Sequence, residues 1–352
     1  MKSIRIGNKI INLNNDPYII AEIGVNHGGS MDLAKKMISQ IKKSGLNAAK
    51  FQTYKAENLV IKNSPAYWNL KNEKTTTQYK LFKKFDKFNK KEYLKLHQYC
   101  KTKKIDFLST PFDIDSIKWL KNIMPVIKIA SADINNKPLL KEIGKTNKTV
   151  LLSTGASTLN EIRYAIKILN DNGTQDVVIM HCILNYPTQD INANLRMIEH
   201  LKKKFPNNII GYSDHTLPSN LISPCVVAYQ LGARVIEKHF TFNKKLSGND
   251  HYHSMDFSDA ESMIRQIKKI QELIGNSKEK MFIKSEIKSR KYARRSIVSK
   301  VEINKGDKFS ENNLTTKRPG NGISPTKWDQ VIGKKSKNKI KADEQIKEKN
   351  FT

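Results

Sequence analysis

Eight short apolar runs in the first 250 residues each end in a polar residue or a tight polar cluster. They are YIIAE (Tyr18 to Glu22), NAAKFQ (Asn47 to Gln52), IDFLST (Ile105 to Thr110), PVIKIAS (Pro125 to Ser131), TVLLST (Thr149 to Thr154), VVIMH (Val177 to His181), NIIGYSDH (Asn208 to His215) and ARVIEKH (Ala233 to His239). A run that is apolar along its length reads as a strand buried on both faces. Polar groups recurring at its C-terminal end need a reason, and in a closed parallel barrel that end is the active-site face. An amphipathic helical segment follows each run. Ser30 to Gly45 is representative, with Ser30 as N-cap, Leu33, Met37, Ile38 and Ile41 as the apolar stripe, and Gly45 as C-cap. Strand then helix, eight times in about 275 residues, predicts a (β/α)8 TIM barrel within the α/β class. A doubly wound sheet would not call for polar residues at the end of all eight strands.

The connection after the second run, residues 53–89, is long for a βα loop and carries Tyr67, Trp68 and Tyr79, which suits an active-site flap. The helical period ends at Gly275. Residues 276–290 are charged and aperiodic and read as a linker. Residues 291–352 hold short strand-like segments separated by NKGD, SENN and PGNG turns, which predicts a small, mostly-β second domain. A domain of that size buries little surface alone and gains from packing on a partner.

Composition narrows the function classes. The net charge is +30, from 63 Lys and Arg against 33 Asp and Glu. The excess is mostly Lys spread over helix faces, without aromatic–basic interleaving, so no nucleic-acid partner is expected. No stretch approaches the ~20 apolar residues of a membrane span. Three scattered Cys (Cys100, Cys182, Cys225) and an N-terminus without an apolar export signal fit a reducing cytoplasm.

His215 ends the seventh run and His239 the eighth, on adjacent strands, so two imidazoles converging on a divalent ion are expected, with Asp214 and Asp250 as orienting groups or sugar contacts. Glu22 closes the first run and is a general acid–base candidate, or an electrostatic partner for a developing cation. His27 is either structural or a substrate contact. Lys50 and Lys128 interrupt apolar strands, where an unpaired ammonium is costly, and with Lys238 and Arg234 they point to anion binding. Thr110, Ser131 and Ser153 end neighbouring strands and add hydroxyls. Walker A, GxGxxG, GxSxG and HExxH motifs are absent. KRPGNGI (Lys317 to Ile323) is a tight loop in the small domain with Arg318 at its base.

The stretches AEIGVNHGG, KFQTYKAENLV, FLSTPFD, KIASADINNKPLL, LLSTGASTLNEI, HCILNYPT, GYSDHT, VIEKHFTFNK and KRPGNGIS together resemble the N-acetylneuraminate synthase family, which includes legionaminate and pseudaminate synthases, over essentially the whole chain. The resemblance implies a phosphoenolpyruvate-condensing transferase with a C-terminal antifreeze-like (SAF) domain. It places the catalytic glutamate on Glu22 and catalytic, metal-binding histidines on His215 and His239. The metal it implies is divalent, Mn²⁺ before Mg²⁺ or Co²⁺. It assigns phosphoenolpyruvate to Lys50, Thr110, Lys128, Ser131, Ser153, Tyr186 and Ser213, and the sugar to Gln52, Asp250 and Arg318. Arg318 would enter the partner's site in a domain-swapped homodimer.

The implied reaction joins phosphoenolpyruvate to an open-chain 2-acetamido sugar of the mannose type. N-acetylmannosamine, giving N-acetylneuraminate, is the first acceptor reading. The alternative is 2,4-diacetamido-2,4,6-trideoxymannose, giving N,N'-diacetyllegionaminate. A pseudaminate synthase ranks third, because EIGVNH stands where that branch has Met-Ser-Ala-Asn-His. Ile183 and Leu184 replace small or polar family residues, and SGNDHYHSMD keeps Asp250 while adding His251 and His253. A catalytically inactive sugar-binding protein is the reading from another class.

Overall fold

The computed structural model describes residues 3–13, 15–68, 70, 73–219, 221–248, 250–277 and 279–351. They form two compact units, residues 1–274 and 275–352.

The first unit opens with a hairpin, β1 (Ile4–Ile6) and β2 (Lys9–Ile11). Its Ile4, Ile6 and Ile11 are buried in the barrel's core cluster. The turn needs Gly7, at φ +54°, because a Cβ there would meet the Asp106 carboxylate at 2.6 Å. Eight parallel strands follow: β3 (Tyr18–Gly24), β4 (Ala48–Thr53), β5 (Asp106–Pro111), β6 (Ile127–Ile129), β7 (Val150–Ser153), β8 (Val177–Cys182), β9 (Ile210–Asp214) and β10 (Val235–His239). The ladder runs β5-β4-β3-β10-β9-β8-β7-β6, and its two end strands lie side by side, so the sheet is a nearly closed TIM-type barrel. Each predicted run falls on one of these strands. Almost every strand residue is buried, as double-sided burial requires.

Helices wrap the barrel through apolar stripes. α1 (Met31–Lys43) is capped by Ser30, whose side chain accepts from the Leu33 N–H, and buries Met37, Ile38 and Ile41 as its period predicts. The long connection after β4 contains α2 (Ala56–Leu59) and α3 (Gln78–Phe85) before α4 (Lys90–Lys103). It is pinned at both ends: the Lys55 ammonium lies 2.7 Å from Asp86, and the Ala56 N–H donates to the same carboxylate at 3.2 Å. The described residues of the flap are thus folded structure.

The second unit has a two-stranded antiparallel sheet, β11 (Ser296–Ser299) with β12 (Leu314–Lys317), and isolated bridges. Its own core includes Ile297, Ile303, Phe309, Leu314, Ile340 and Ile346. A short helix, Ile287–Ala293, runs across the end of the stretch that reads as a linker in sequence. Among the described residues no helix is long and apolar enough to cross a membrane.

Candidate active site at the barrel mouth

Strand register decides which polar groups meet. Glu22 pairs laterally with Lys50 on one side and His239 on the other. Gln52 lies beside Thr110, and Ser213 beside both Cys182 and Glu237. A register shift between Glu22 and Gly24 marks a bulge at the end of β3. Gly24 sits at φ +54°, and a Cβ there would crowd both the Glu22 and Gln52 side chains at 3.3 Å, so this glycine makes room for the carboxylate.

The result is a cavity of about 480 Å³. Its polar floor carries Glu22, Lys50, Lys128, Thr110, Ser153 and Ser213. Gln52, Ser131, Tyr186, His215, His239 and Asp250 line it as well. All the barrel residues singled out from sequence for phosphoenolpyruvate, sugar or catalysis therefore share one space.

The floor is a charge cluster. The Lys50 ammonium lies 2.5 Å from Glu22 and donates to the Thr110 hydroxyl at 3.0 Å. Lys128 donates to the Ser153 hydroxyl at 2.7 Å. Gln52 donates to the other Glu22 oxygen at 3.1 Å. A second carboxylate completes the cluster: Glu237 stands 3.6 Å from Lys128 and 3.8 Å from Lys50, and accepts from Ser213 at 3.2 Å. The two carboxylates part in acidity. Burial, opposed by Lys50, pushes Glu22 up to about 7. Burial would raise Glu237 too, but Lys128 and Lys50 together hold it below the usual carboxylate range. Burial also lowers Lys128. A buried cluster with two ammonium groups, one firm carboxylate and one carboxyl near neutrality is suited to a polyanion and to proton transfer. The second Glu237 oxygen and the His239 Nδ1 are buried without a hydrogen-bond partner, which is unusual unless a ligand is to meet them.

Glu237 is the functional candidate that the sequence reading passed over. The signal was available: side chains two apart on a strand share a face, so Glu237 must point with His239. Lys238, which the reading favoured, must point away. It does, and its ammonium pairs with Asp214 at 2.6 Å behind the barrel wall. Asp214 also accepts from Tyr212 and from the Thr216 N–H, so it orients neither imidazole. Arg234 donates to the carbonyls of Leu13, Tyr229 and Ala233 and binds no anion in the mouth. His27 is buried against Phe88, accepts from the Gly29 N–H, and is held down to about 4 by burial, which makes it structural.

The expected divalent metal is corrected. Among the described residues, no three His, Cys, Asp or Glu side chains are grouped to hold an ion. His215 and His239 do face each other, with ring centroids 5.4 Å apart. His215 Nδ1 is engaged by the Ile183 carbonyl at 2.8 Å, and the nearest carboxylate, Asp250, stays 3.8 Å from His239. Two imidazoles without a third convergent ligand do not make the site that Mn²⁺, Mg²⁺ or Co²⁺ was expected to fill. Burial keeps both rings neutral, His215 being lowered to about 4. Burial would raise Asp250, but the His253 imidazole 3.5 Å away and the neighbouring His239 and His215 rings outweigh it and hold the carboxylate below its ordinary range.

In the second unit Arg318 is exposed. The loop around it is tightly held: Ser296 and Gln345 donate to the Pro319 carbonyl at 2.6 and 3.1 Å, and the Gly322 N–H donates to Ser296 at 2.8 Å.

A barrel with paired lysines, hydroxyls and two carboxylates at its C-terminal mouth defines an anion-handling TIM-barrel enzyme. The NeuB family model matches residues 37–279 and the SAF domain model residues 294–352; the chain belongs to the NeuB family, with a C-terminal SAF domain. An uncharacterized protein of Methanocaldococcus jannaschii is 39% identical over 98% of this chain and 98% of its own. The N,N'-diacetyllegionaminic acid synthase of Campylobacter jejuni is 40% identical over 94% of this chain and 98% of its own. A solved N-acetylneuraminic acid (sialic acid) synthetase of Leptospira borgpetersenii superposes with a TM-score of 0.72 at 34% identity, covering 82% of this chain and 95% of that one. Membership makes this protein a transferase-type enzyme of the phosphoenolpyruvate-dependent class that forms nonulosonic acids.

Proposed function

We propose that the barrel cavity condenses phosphoenolpyruvate with the open-chain aldehyde of a 2-acetamido sugar of the mannose type, giving a nine-carbon 2-keto acid and phosphate. The observation that carries this reading is the floor: Lys50 and Lys128, both buried, stand over the same carboxylate, Glu237. Two ammonium groups with the hydroxyls of Thr110, Ser131, Ser153 and Ser213 suit a ligand bearing both phosphate and carboxylate. Tyr186 closes that pocket over His215, ring centroids 4.1 Å apart.

C3 of phosphoenolpyruvate adds to the aldehyde carbon, and the aldehyde oxygen takes a proton. Positive charge develops at C2, facing Glu22 and Glu237, where preset carboxylates are effective because both are buried. Water adds to C2 and gives its proton to Glu22. The tetrahedral intermediate loses phosphate by cleavage of its C–O bond. Glu22 passes the water proton to the aldehyde-derived alkoxide and so returns to its starting state, while the remaining C2 hydroxyl proton leaves on the phosphate as the keto group forms. Neutral His215 and His239, with Gln52 and Asp250, orient the acceptor.

N-acetylmannosamine, yielding N-acetylneuraminate, is one acceptor. The diacetamido-trideoxy sugar leading to N,N'-diacetyllegionaminate is the second reading, favoured by two relatives of that name, 40% and 36% identical. The small domain of residues 291–352 adds Arg318 across a swapped homodimer, a role its exposed side chain and rigid loop support. Each acceptor is offered separately with phosphoenolpyruvate, and phosphate release and product mass are followed. Acceptor-dependent release supports the reading. No release with any acetamido sugar would leave the fold with dead chemistry.

A further inference from the structure

The turn beyond β10 brings two polar side chains to the cavity, and the chemistry above uses only one. Asp250 and His251 both line the cavity, with Gly248 before them. The turn is firmly held. Asn26 donates to the Phe240 carbonyl at 3.0 Å and to the Ser254 hydroxyl at 3.1 Å, and that hydroxyl donates in turn to the Asp250 carbonyl. The Thr241 N–H donates to the Met255 carbonyl at 2.9 Å, and the Ser254 N–H to the His251 carbonyl at 3.2 Å. His251 is therefore buried on a fixed backbone.

Its ring is gripped at one nitrogen. Nδ1 lies 2.7 Å from the Thr241 hydroxyl, which also lies 3.2 Å from both the amide nitrogen and the carbonyl of Asn243. A hydroxyl has a single proton to give. All three contacts are hydrogen bonds at once only when Nδ1–H and the Asn243 N–H donate to Thr241, whose own proton goes to the Asn243 carbonyl. The neutral ring then carries its lone pair on Nε2. Burial, opposed by Asp250, holds the imidazole below its ordinary range, which keeps that neutral form at about pH 7. Gly248, at φ +142°, leaves the Nε2 edge uncovered: a Cβ there would come within 3.0 Å of Cδ2 and 3.5 Å of Nε2. Among the described residues no hydrogen bond engages Nε2.

We propose that His251 is a further acceptor-binding residue, whose Nε2 accepts a hydrogen bond from a hydroxyl or the acetamido N–H of the sugar. This rests on the condensation proposed above. Thr241 is the positioning residue that fixes the tautomer. The Asp250 carboxylate is also an acceptor, so this turn offers lone pairs where the floor offers the protons of Lys50 and Lys128. The two substrates are sorted accordingly. Phosphate and carboxylate oxygens go to the lysines, and the donors of the sugar go to the turn. A sugar held by Asp250 alone could swing about that contact; a second acceptor beside it fixes the orientation.

The test measures both KM values for His251→Asn, His251→Gln and Thr241→Val, with N-acetylmannosamine and with 2,4-diacetamido-2,4,6-trideoxymannose in turn. Asn keeps a donor for Thr241 but puts nothing at the Nε2 position. The acceptor KM should then rise roughly 5- to 50-fold while that for phosphoenolpyruvate stays put. Gln carries its amide to the Nε2 position and should bring the acceptor KM back to within about fourfold of wild type. Thr241→Val releases the tautomer and should raise the acceptor KM a few-fold. The nitrogen NMR signals of the wild-type ring, assigned by their absence from His251→Asn, should show a protonated Nδ1 and a bare Nε2 that shifts when the acceptor is added. A protonated Nε2, an acceptor KM indifferent to His251→Asn, or an equal loss in Asn and Gln that extends to phosphoenolpyruvate overturns the role of His251 alone. The wild-type ring spectrum decides the matter even where a variant fails to fold. Absence of turnover with either acceptor overturns the condensation reading and this inference with it.

Discussion

Replacing Glu22 by Gln separates what this carboxylate does for chemistry from what it costs the fold. Burial, opposed by Lys50 and reinforced by Glu237, pushes Glu22 up to about 7. The mechanism needs its ionised form, facing C2 and accepting a proton from water. Ionisation is about one-tenth complete a unit below that value and about half complete at it, so kcat/KM should climb roughly fivefold from pH 6 to 7 and level off above 8. The Gln variant should lose roughly 10²- to 10⁴-fold and show no such limb. The substrate phosphate, with a pKa of about 6, titrates in both enzymes, so the difference between the two profiles isolates Glu22. Stability runs the other way. A carboxyl whose folded-state pKa is raised contributes stability that is complete below its unfolded value of 4.5 and is lost as pH rises through about 7. Between pH 5 and 8 the wild type should lose up to about 3 kcal/mol that the Gln variant keeps, read as a steeper fall in melting temperature. A variant that retains the acid limb, or falls less than tenfold in rate, would refute the assignment.

Four further outcomes are expected. Lys128→Met removes a charge-assisted contact worth about 1.5–3 kcal/mol, so the KM for phosphoenolpyruvate should rise roughly 10- to 150-fold while that for the acceptor stays put. Glu237→Gln should depress kcat by at least tenfold, measured at saturating substrates, since it leaves Lys50 and Lys128 without their shared carboxylate and C2 with one anion fewer. Asp86→Ala cuts the flap's pin to Lys55 and the Ala56 N–H; amide exchange across residues 56–85 should accelerate and the acceptor KM rise roughly 5- to 20-fold. Subunits carrying Arg318→Ala mixed with subunits carrying Glu22→Gln should regain part of the lost activity, because in a swapped homodimer some mixed sites hold both intact residues.

The barrel was legible because a strand buried on both faces leaves an unbroken apolar run, and each run's polar end marked the mouth. Lys50 and Lys128 stood out because an ammonium inside such a run must be paired. Glu237 was overlooked although the two-residue alternation of a strand, which sets Lys50 and Gln52 on one face of β4, also places Glu237 with His239 on β10. Lys238 and Arg234 were misread for a related reason. A basic residue in sequence does not reveal whether its charge turns to the mouth, to Asp214 behind the wall, or to carbonyls of Leu13 and Tyr229. The two histidines do converge as their strand positions suggested. A metal site, however, needs a third ligand at the right distance, and distances of that kind arise from loops such as residues 240–256, whose course no periodicity encodes. The flap gave up its length and aromatic content in sequence but not its two helices, whose faces sort only once Lys55 and Asp86 pin the ends.

The most direct test of the central claim follows the bridging oxygen. Phosphoenolpyruvate labelled with heavy oxygen between C2 and phosphorus is turned over with an acetamido acceptor, and both products are weighed. Condensation through a C2 cation and C–O cleavage puts the label in the released phosphate and an oxygen from water in the keto group. Label retained in the nine-carbon acid would mean cleavage at phosphorus, and the roles given to Glu22 and Glu237 at C2 would fall.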